Sequence, residues 1–459
     1  MSNQIKAQCV IFPELFSKPV VARFDQHHSS SDGGAILLKA ADKRLGLTER
    51  LAECIDDRRD PAKIAHGISE LIRQRVFAMA CGYADCNDTA RLANDPVHKL
   101  LVDRDPVNGT PLASQPTLSR FENSVGRKDL FRMGEALAEG VIARHRRRLG
   151  RKVRRITIDL DPTEDPTHGA QQLSFFNGHY DSWCYLPLLG FISFNDEPEQ
   201  YLCTAILRPG NAPDKLAAIG VLRRLIKRLR KAFPGAHIRV RLDAGFAAPD
   251  IFNFLDEQPG VAYVVAMAKN PVLKRRSHRL MGTARRRSRE SDHSERVYGE
   301  CRYGAGTWPY KRRVIIKAEA LRHPDREPRD NPRFVITNLQ QSPRFIYERI
   351  YCARGDIENR IKELHLGLSL DRTSCPSFWA NQFRVFLTAA AYVLMQELRL
   401  CAKHTSRARS QVWTLRDHLL KLGAYVKVST RRIVLHLPIS LPDINAWRRI
   451  AVSLGAGAG

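Results

Sequence analysis

The stretch Arg155-Ile156-Thr157-Ile158-Asp159-Leu160-Asp161-Pro162 marks a change from a helical to an extended pattern. Apolar residues occupy every second position from 156 to 160, and Thr157, Asp159 and Asp161 alternate with them. Because the side chains of a strand alternate between its two faces, this pattern predicts a strand with one apolar face and one largely acidic face. We expect the rest of the fold to be built around this strand.

Further segments with strand or helix patterns follow. They are strands over 184–194, 201–207, 237–242 and 261–266, and helices over 214–232 and 249–255. Strands joined by a short turn come first and strands joined by helices come later, so the sheet should contain antiparallel and parallel pairs. The pattern predicts an α/β fold with a mixed sheet flanked by helices.

The regions on either side of this sheet have different patterns. Apolar residues at three- and four-residue spacing from about 35 to 148 predict an all-helical N-terminal domain. An arginine-rich stretch after 270, followed by strand patterns over 314–320 and 333–338, indicates a basic β-rich insertion. Helices are predicted over about 344–366 and 379–400. The expected regions are 1–150, 151–270, 271–340, 341–402 and a basic C-terminal tail over 403–459.

The composition is strongly basic. The 459 residues contain 74 lysines and arginines against 48 aspartates and glutamates, a formal net charge of +26 with a pI near 10.0. A surplus of this size predicts a polyanionic partner. Ten cysteines without a CxxC pair are typical of reduced thiols in the cytosol. The start lacks a signal-peptide pattern and polar residues interrupt the apolar stretch 379–400, so we expect no membrane association.

Three acidic residues stand where carboxylates can meet. Asp161 and Asp243 each end a predicted strand, and Glu358 lies in the late helix. Carboxylates at neighbouring strand ends, joined by one from a packed helix, suit a hard divalent cation such as Mg²⁺. Two such ions can support phosphoryl transfer. Alternatively, the two aspartates are turn or helix-cap residues without a chemical role.

The late helix carries a second pattern around Glu358. Tyr351, Arg354, Glu358, Lys362 and His365 recur at spacings of three and four residues, which would place them on one side of a regular helix. Such a stripe suits a surface that meets DNA phosphates beside a metal ion. Ion pairs of Glu358 with Arg354 and Lys362 on a solvated face explain the same pattern.

Runs of basic residues are candidates for contacts with phosphates. Eight of the twelve residues from 144 to 155 are lysine or arginine, and further clusters occupy 223–231 and 274–287. So dense a charge of one sign beside a strand favours phosphate contacts over a merely solvated helix end. The candidate residues are Arg147, Arg148, Arg151, Lys152, Lys274, Arg275 and Arg276.

Three segments together carry a resemblance to a known family. They are Asp159–Gln171, Arg241–Phe246 and Tyr351–Asn359, found in this order on a predicted strand, strand and helix. They resemble the signature regions of bacterial insertion-sequence DDE transposases with an RNase H-like core, of the thirteen-eighty insertion-sequence type (DDE domain group 1). The segment Gln115–Asn123 adds to the resemblance, which covers about residues 20 to 400.

The resemblance implies a DNA transposase that cleaves at the terminal inverted repeats of its insertion sequence and joins the 3′ ends to target DNA. It implies that Asp161, Asp243 and Glu358 bind Mg²⁺, or Mn²⁺, and catalyse phosphoryl transfer. The expected partners are double-stranded DNA and a second copy of the chain in a synaptic dimer. The region 1–150 would bind DNA, 151–270 and 341–402 would form the catalytic core, and the expected location is the bacterial cytoplasm, at the nucleoid.

Two positions complicate the assignment of site residues. The family's helix signature ends in a lysine where this chain has His365, so Lys362 is an alternative DNA contact. Asp159 shares its strand face with Asp161 and is the alternative first metal ligand. Asp161 is preferred because Thr163 completes the family's Asp-x-Thr pattern.

Two other functions are compatible with the sequence. One is an inactive, transposase-derived DNA-binding protein, and the other is an RNase H-like nuclease that acts on RNA or hybrids. The acidic trio favours an enzyme over the binding protein. Trp183, Trp308 and Trp379 are expected to pack inside the protein, with Trp308 an alternative platform for a flipped base.

Overall fold

The computed structural model describes residues 9–12, 17–306, 308–323 and 326–457, which form a large mixed sheet flanked by helices. The strands are β1 (Cys9–Phe12), β2 (Val20–Arg23), β3 (Ser29–Ser30), β4 (Arg155–Pro162), β5 (Asp165–Pro166), β6 (Phe175–Asn177), β7 (Ser182–Tyr185), β8 (Leu188–Phe194), β9 (Tyr201–Ile206), β10 (His237–Leu242), β11 (Val261–Met267), β12 (Glu295–Tyr303), β13 (Arg312–His323), β14 (Arg326–Asp330), β15 (Arg333–Thr337), β16 (Ala424–Val428) and β17 (Ile433–His436). The α-helices are α1 (Ile36–Leu45), α2 (Leu47–Ala52), α3 (Ile68–Ala80), α4 (Cys86–Arg91), α5 (Pro96–Leu101), α6 (Gln115–Ser124), α7 (Arg127–Leu149), α8 (Ala218–Ala232), α9 (Pro249–Asp256), α10 (Pro271–Ser291), α11 (Pro343–Phe345), α12 (Asp356–Lys362), α13 (Phe378–Cys401), α14 (Val412–Leu415) and α15 (Ile444–Ser453).

The large sheet has the order β12-β13-β15-β11-β10-β4-β8-β9, and β14 also pairs with β13. β4 lies antiparallel to β8, and β8 lies antiparallel to β9. By contrast, β4, β10 and β11 run parallel. The predicted mixed sheet is therefore confirmed, and the five strands from β9 to β11 are compatible with an RNase H-like core.

The strand predicted over 184–194 is two strands, β7 and β8. Pro187 lies between them and has no N–H group with which to continue a strand ladder. β8 stays in the large sheet, where all seven of its residues are buried. β7 instead joins β5 and β6 in a separate three-stranded sheet of order β5-β7-β6, which we call the small sheet.

The region expected to be a β-rich insertion begins with a helix, α10. The buried residues of α10 follow the helical repeat, but two of them are Ser277 and Ser288. The apolar signal is therefore weak beside the many arginines of the other faces. The strands that follow extend the large sheet, because β15 pairs antiparallel with β11.

The late helix is present as predicted, but its pitch changes along its length. Ile346–Tyr351 and Glu363–Gly367 are π-helical turns, and Cys352–Gly355 is a 3-10 turn before α12. Each change of pitch shifts the angular position of the residues that follow. The predicted stripe from 351 to 365 is consequently not uniform, because Arg354 and His365 are largely covered while Glu358 and Lys362 are exposed.

The outer edge of β9 is covered by α13. Gln396 accepts a hydrogen bond from Leu202 N–H at 3.1 Å, and Gln382 accepts one from Leu207 N–H at 2.7 Å. The amide groups of the same glutamines donate to backbone carbonyls of this edge. These contacts satisfy backbone groups that an open edge strand would offer to another chain.

The C-terminal region folds onto the N-terminal helices. β16 pairs with β3, and Gly33 N–H donates to Leu422 O at 2.8 Å. Gly34 lies so close to this segment that an added Cβ would be 1.7 Å from Leu419 O. Within the described ranges, no helix is both long enough and apolar enough to cross a membrane.

Candidate functional site

The carboxyl ends of β4 and β10 meet at one rim of the large sheet. The two strands are parallel neighbours, with Asp159 opposite Arg241. Asp161 lies near the end of β4, and Asp243 directly follows β10. The register therefore brings the two carboxylates to the same rim on adjacent strands.

Arg354 reaches this rim from the late helix and contacts both carboxylates. Its Nη2 donates to Asp161 Oδ1 at 2.5 Å and lies 3.6 Å from Asp243 Oδ2. Asp243 also accepts a hydrogen bond from Gly245 N–H at 2.9 Å, which caps the short 3-10 turn after β10. The single positive charge of Arg354 is thus shared by the carboxylates of Asp161 and Asp243. When both carboxylates are ionised, these three side chains together carry one uncompensated negative charge.

The pKa values of both carboxyls are raised. Burial raises the pKa of Asp161 to about 7, with Arg354 opposing this effect and Asp243 adding to it. Burial likewise raises the pKa of Asp243, with Arg354 opposing and Asp214 adding. Carboxylates that are short of positive charge gain from a further cation. Their oxygens are also the donors that Mg²⁺ prefers, so the pair fits a divalent ion.

Asp159, the alternative first ligand, is engaged inside the protein. It is completely buried, and Arg241 donates to its two oxygens at 2.7 Å each. The same guanidinium donates to Ile350 O at 3.0 Å and so ties the strand pair to the late helix. Because both oxygens of Asp159 are occupied, the geometry favours Asp161 as the available carboxylate.

Glu358 is not grouped with the two aspartates. It is exposed on α12, and within the described ranges its side chain makes no ion pair or hydrogen bond. The carboxylates of Asp161, Asp243 and Glu358 do not form a group in which all three lie within 4.8 Å of one another. Glu358 follows Arg354 by four residues, about one helical turn. The structure therefore brings together Asp161, Asp243 and Arg354, and leaves Glu358, four residues after Arg354, outside the group.

Tyr351 and His365 occupy covered positions on either side of this group. The ring of Tyr351 lies 5.5 Å from that of Tyr347, and burial raises its pKa. His365 Nε2 is hydrogen-bonded to Thr163 Oγ1 at 3.0 Å, and burial lowers its pKa. His365 is thus a neutral link between the late helix and the end of β4, whereas Lys362 is exposed on the same helix.

A family model described as transposase DDE domain group 1 matches residues 12–456. The chain belongs to this transposase family. Among proteins of curated function, none matched the chain. The family consists of transposases, which act on DNA, and the match extends the resemblance of three short segments to nearly the whole chain.

The basic run from 144 to 155 in this transposase contains two kinds of residue. Arg148 donates to both oxygens of Glu197 at 2.8 and 2.7 Å, and Arg144 donates to both oxygens of Glu397. These two arginines are engaged within the protein. The exposed candidates that form no ion pair with another described residue are Arg147, Arg151 and Lys152.

The basic residues of α10 form an exposed surface of the transposase. Lys274, Arg275 and Arg276, which the sequence predicted as phosphate contacts, are all exposed on this helix. Lys269 lies beside them, and its pKa is lowered by burial and by the charges of Arg333, Arg329 and Lys274. Mutual repulsion of this kind indicates a surface that gains from an anionic partner.

Two residues beside the aspartates of the transposase were not predicted. Asp214 precedes α8, and a Cβ at position 245 would lie 1.7 Å from its Oδ2, so Gly245 permits this close approach. Tyr180 lies between β6 and β7, and its pKa is raised to about 12 by burial, then by Asp214 and Asp161. Both residues come from irregular segments, which give no periodic signal in the sequence.

A second polar cluster joins the N- and C-terminal parts of the transposase. Asp32, Cys81 and His98 hold ligand-type atoms within 4.8 Å of one another, all buried. Asp32 already contacts His98 Nε2 and Lys421 Nζ, each at 2.8 Å through a different oxygen. This pairing gives the cluster a structural role that does not require a metal ion.

Proposed function

We propose that this transposase cleaves DNA at the terminal inverted repeats of its element and joins the 3′ ends to target DNA by Mg²⁺-dependent phosphoryl transfer. The observation that carries the proposal is the pair of Asp161 and Asp243 at the ends of adjacent parallel strands, both in contact with Arg354. Membership of the DDE transposase family supports the same reaction class.

Asp161 and Asp243 would hold the divalent ion, and Glu358 would be the third carboxylate. Oxygen donors of this kind suit Mg²⁺ and also Mn²⁺. When bound, such ions supply stabilisation of the attacking and leaving oxygens in an in-line displacement at phosphorus. No protein nucleophile is needed, so the reaction does not depend on a serine, tyrosine or cysteine.

The residues around the aspartates have separate tasks. Arg354 favours the ionised form of both carboxyls and places a positive charge where the phosphate must approach. The Arg241–Asp159 pair fixes β4, β10 and the late helix relative to one another. His365 and Thr163 add a second link between the helix and the strand end.

The DNA would run across the exposed basic residues. Arg147, Arg151 and Lys152 lie at the end of α7, Lys274 lies on α10, and Lys362 lies on α12. Contacts of this kind bind phosphates without regard to sequence. We infer that a second copy of the chain takes part, because both ends of an element must be cut and joined together.

The test is cleavage and strand transfer on duplex DNA that carries the inverted repeats flanking the reading frame. With Mg²⁺ or Mn²⁺, the native protein is expected to nick the repeat end and to join it to a plasmid. Asp161→Asn and Asp243→Asn are each expected to lower both rates by about 100- to 1,000-fold, the usual loss when one electrostatic stabiliser is removed from an active site, while DNA binding remains.

Asp196→Asn is the matched control, because the Asp196 side chain is 92% exposed and belongs to the turn between β8 and β9. Strand cleavage that persists in Asp243→Asn would contradict the assignment of the site. Metal-independent binding without cleavage by the native protein would indicate the inactive DNA-binding protein, and preferred cleavage of an RNA–DNA hybrid would indicate the nuclease.

A further inference from the structure

Helix α10 is strongly basic wherever it is exposed. Its 21 residues contain eight lysines and arginines, all exposed, and Glu290 is its single acidic residue. The buried residues recur every three or four positions on the side that packs against β12 and β13. They are Leu273, Ser277, Met281, Ala284 and Ser288. Most of the helix circumference therefore remains open to a partner.

The cations of α10 occupy both flanks and the outer face of the helix. At about 100° per residue, Lys274 and Arg287 fall on opposite flanks. Between them, an outer stripe along the helix contains Arg275, Arg279, Arg286 and Arg289. This stripe is about 21 Å long at about 1.5 Å per residue. Because a single phosphate strand would meet only one side, cations on both flanks suit a partner that encloses the helix.

Most of these cations have no partner inside the protein. Within the described ranges, five side chains form neither an ion pair nor a hydrogen bond: Lys274, Arg275, Arg279, Arg287 and Arg289. Of the other three, Arg276 donates to a backbone carbonyl of β12 and Arg285 pairs with Asp330 at 2.6 Å. Arg286 lies 3.8 Å from Glu290. The unpaired cations leave the helix with charge to offer to an anion.

Helix α8, which is also basic, uses its arginines differently. Arg224 and Arg228 both pair with Glu135 of α7, and Arg230 donates to Pro259 O at 2.6 Å. These three arginines of the predicted cluster 223–231 are engaged within the protein. Of the two helices, α10 is therefore the better candidate for a contact with phosphates.

A glycine stands in the middle of the outer stripe. Gly282 is exposed, and an added Cβ would meet nothing within 4 Å, so packing inside the protein does not require glycine here. Glycine inside a helix is destabilising relative to alanine. With no side chain between Arg279 and Arg286, however, the helix backbone can come close to a partner. The position suits a surface that is closely covered when the partner binds.

The dimensions of α10 match the major groove of B-form DNA. A helix with its side chains is about 10–12 Å across, and this groove is about 12 Å wide. Phosphates line both edges of the groove, and arginine donates to guanine O6 and N7 at its floor. A-form RNA fits less well, because its major groove is deep and narrow. A lipid surface would need an apolar outer face, whereas the apolar residues of α10 are buried.

Stacking on an unpaired base does not explain this surface, because α10 has no phenylalanine, tyrosine or tryptophan. Trp308, the platform considered from the sequence, is packed 5.1 Å from Phe252 and 5.5 Å from Tyr303. Trp183 lies on the small sheet and is 59% exposed, so the expectation that it packs inside the protein is wrong. The charged, non-aromatic face of α10 therefore matches paired DNA.

We propose that α10 lies in the major groove of duplex DNA, with Lys274 and Arg287 on its two phosphate strands and the outer stripe facing base edges. The proposal rests on the proposed function, which supplies DNA as the partner. Close contact at Gly282 would bring the neighbouring arginines to the groove floor, where they favour guanine over other bases.

The test is methylation of repeat-end duplex DNA by dimethyl sulfate, in Ca²⁺ to limit cleavage. This reagent modifies guanine N7 in the major groove and adenine N3 in the minor groove. The native protein is expected to protect a short block of guanines. Arg275→Ala/Arg279→Ala is expected to lose that protection, with adenine reactivity unchanged. Its affinity should fall at least about fivefold, the low end for one arginine–guanine contact.

Three further variants make the test specific. Arg431→Ala/Arg432→Ala removes the same charge from exposed positions between β16 and β17, and it is expected to keep the guanine protection. Gly282→Ala is expected to raise the melting temperature because alanine favours a helix. Gly282→Leu is expected to fold, since no atom lies within 4 Å of the added Cβ, but to lose the protection because its side chain holds the helix away from the bases.

Unchanged protection in Arg275→Ala/Arg279→Ala would overturn the groove contact, as would equal losses in the charge-matched control. Binding by the native protein without any guanine protection would also overturn it, since the helix would then meet only phosphates. The proposed function can fail separately. Guanine protection without cleavage of repeat ends in Mg²⁺ would count against transposition alone, and cleavage without protection would count against the groove contact alone.

Discussion

Asp159 and Asp161 are two positions apart on one strand, yet their surroundings differ completely. Each carboxylate oxygen of Asp159 accepts a hydrogen bond from a nitrogen of Arg241, and the residue is completely buried. Asp161 shares a single guanidinium nitrogen with Asp243 at the rim. The buried Arg241–Asp159 ion pair, which supports the fold, thus lies next to the Asp161–Asp243 pair, whose carboxylates can bind a further cation.

Asp159→Asn is expected to destabilise the fold by about 3–5 kcal/mol, because it leaves the buried Arg241 without its counter-charge. Asp161→Asn is expected to change the free energy of unfolding much less, since its raised pKa shows that the ionised form is not favoured there. Urea denaturation of both variants measures the difference. Equal losses of stability would contradict the separate roles.

Asp165 gives a prediction for the dependence of stability on pH. Burial raises its pKa to about 8, with the hydrogen bond from Thr373 opposing this effect. In the unfolded chain the pKa of an aspartate is about 3.9, so between pH 4 and 8 only the folded state keeps this proton. The contribution of Asp165 to stability therefore falls as pH rises through this window and is constant above it.

Asp165→Asn is expected to remove this contribution. The melting temperature of the variant relative to the native protein should be higher at pH 8 than at pH 5, as scanning fluorimetry would show. Asp196→Asn, which alters an exposed carboxylate, should give the same difference at both pH values. A constant difference for Asp165→Asn as well would rule out a buried, protonated Asp165.

At the scale of elements, α7 shows how one basic helix end serves two purposes. Arg148 stabilises the fold by binding Glu197 of the turn between β8 and β9, while Arg147, one residue earlier, is exposed. Because successive residues of a helix are about 100° apart, neighbouring arginines reach different surroundings. A dense run of charge is thus a mixture of internal ion pairs and free cations.

Arg147→Ala/Arg151→Ala/Lys152→Ala is expected to weaken DNA binding on all sequences. The slope of log affinity against log salt should become shallower by about 0.9 for each lost phosphate contact. Arg148→Ala should instead lower the melting temperature and leave that slope nearly unchanged. Fluorescence anisotropy at several salt concentrations distinguishes the two sets. Equal salt slopes for both variants would contradict this division.

In the late helix, too, residues of one predicted stripe reach different surroundings. The spacing of Tyr351, Arg354 and Glu358 fits a regular helix, but the π and 3-10 turns change which side each residue occupies. Arg354 therefore contacts the aspartates while Glu358 is exposed. A pattern of spacing predicts a face only where the pitch stays regular.

At the scale of the whole molecule, residues near the two ends of the described chain depend on each other. Gly33 and Gly34 fit against the segment before β16, and Lys421 binds the buried Asp32. The region 403–459, which we expected as a basic tail, therefore helps to hold the N-terminal helices in place.

Gly34→Ala is expected to destabilise the protein by about 1–3 kcal/mol or more, because its Cβ would overlap Leu419 O and force the backbones apart. Gly423→Ala is the matched control from the same segment, since nothing lies within 4 Å of its added Cβ. Equilibrium denaturation in urea compares the two. If Gly34→Ala were as stable as the control, the close approach would not matter for the fold.

The sequence by itself determined the local features of this protein. Alternation around Asp161 predicts β4, the order of strands and helices predicts a mixed sheet, and three short segments carry the resemblance to the family that matches residues 12–456. These features are local because strand alternation, chain order and short motifs are all written within a few neighbouring residues.

Only the tertiary structure decided which side chains meet. It placed Arg241 on Asp159 and Arg354 on Asp161 and Asp243, left Glu358 exposed, and exposed Trp183 while burying much of Trp308. These outcomes depend on contacts between residues up to about 200 positions apart. No local pattern encodes such contacts, because they follow from strand register, helix pitch and the packing of distant segments.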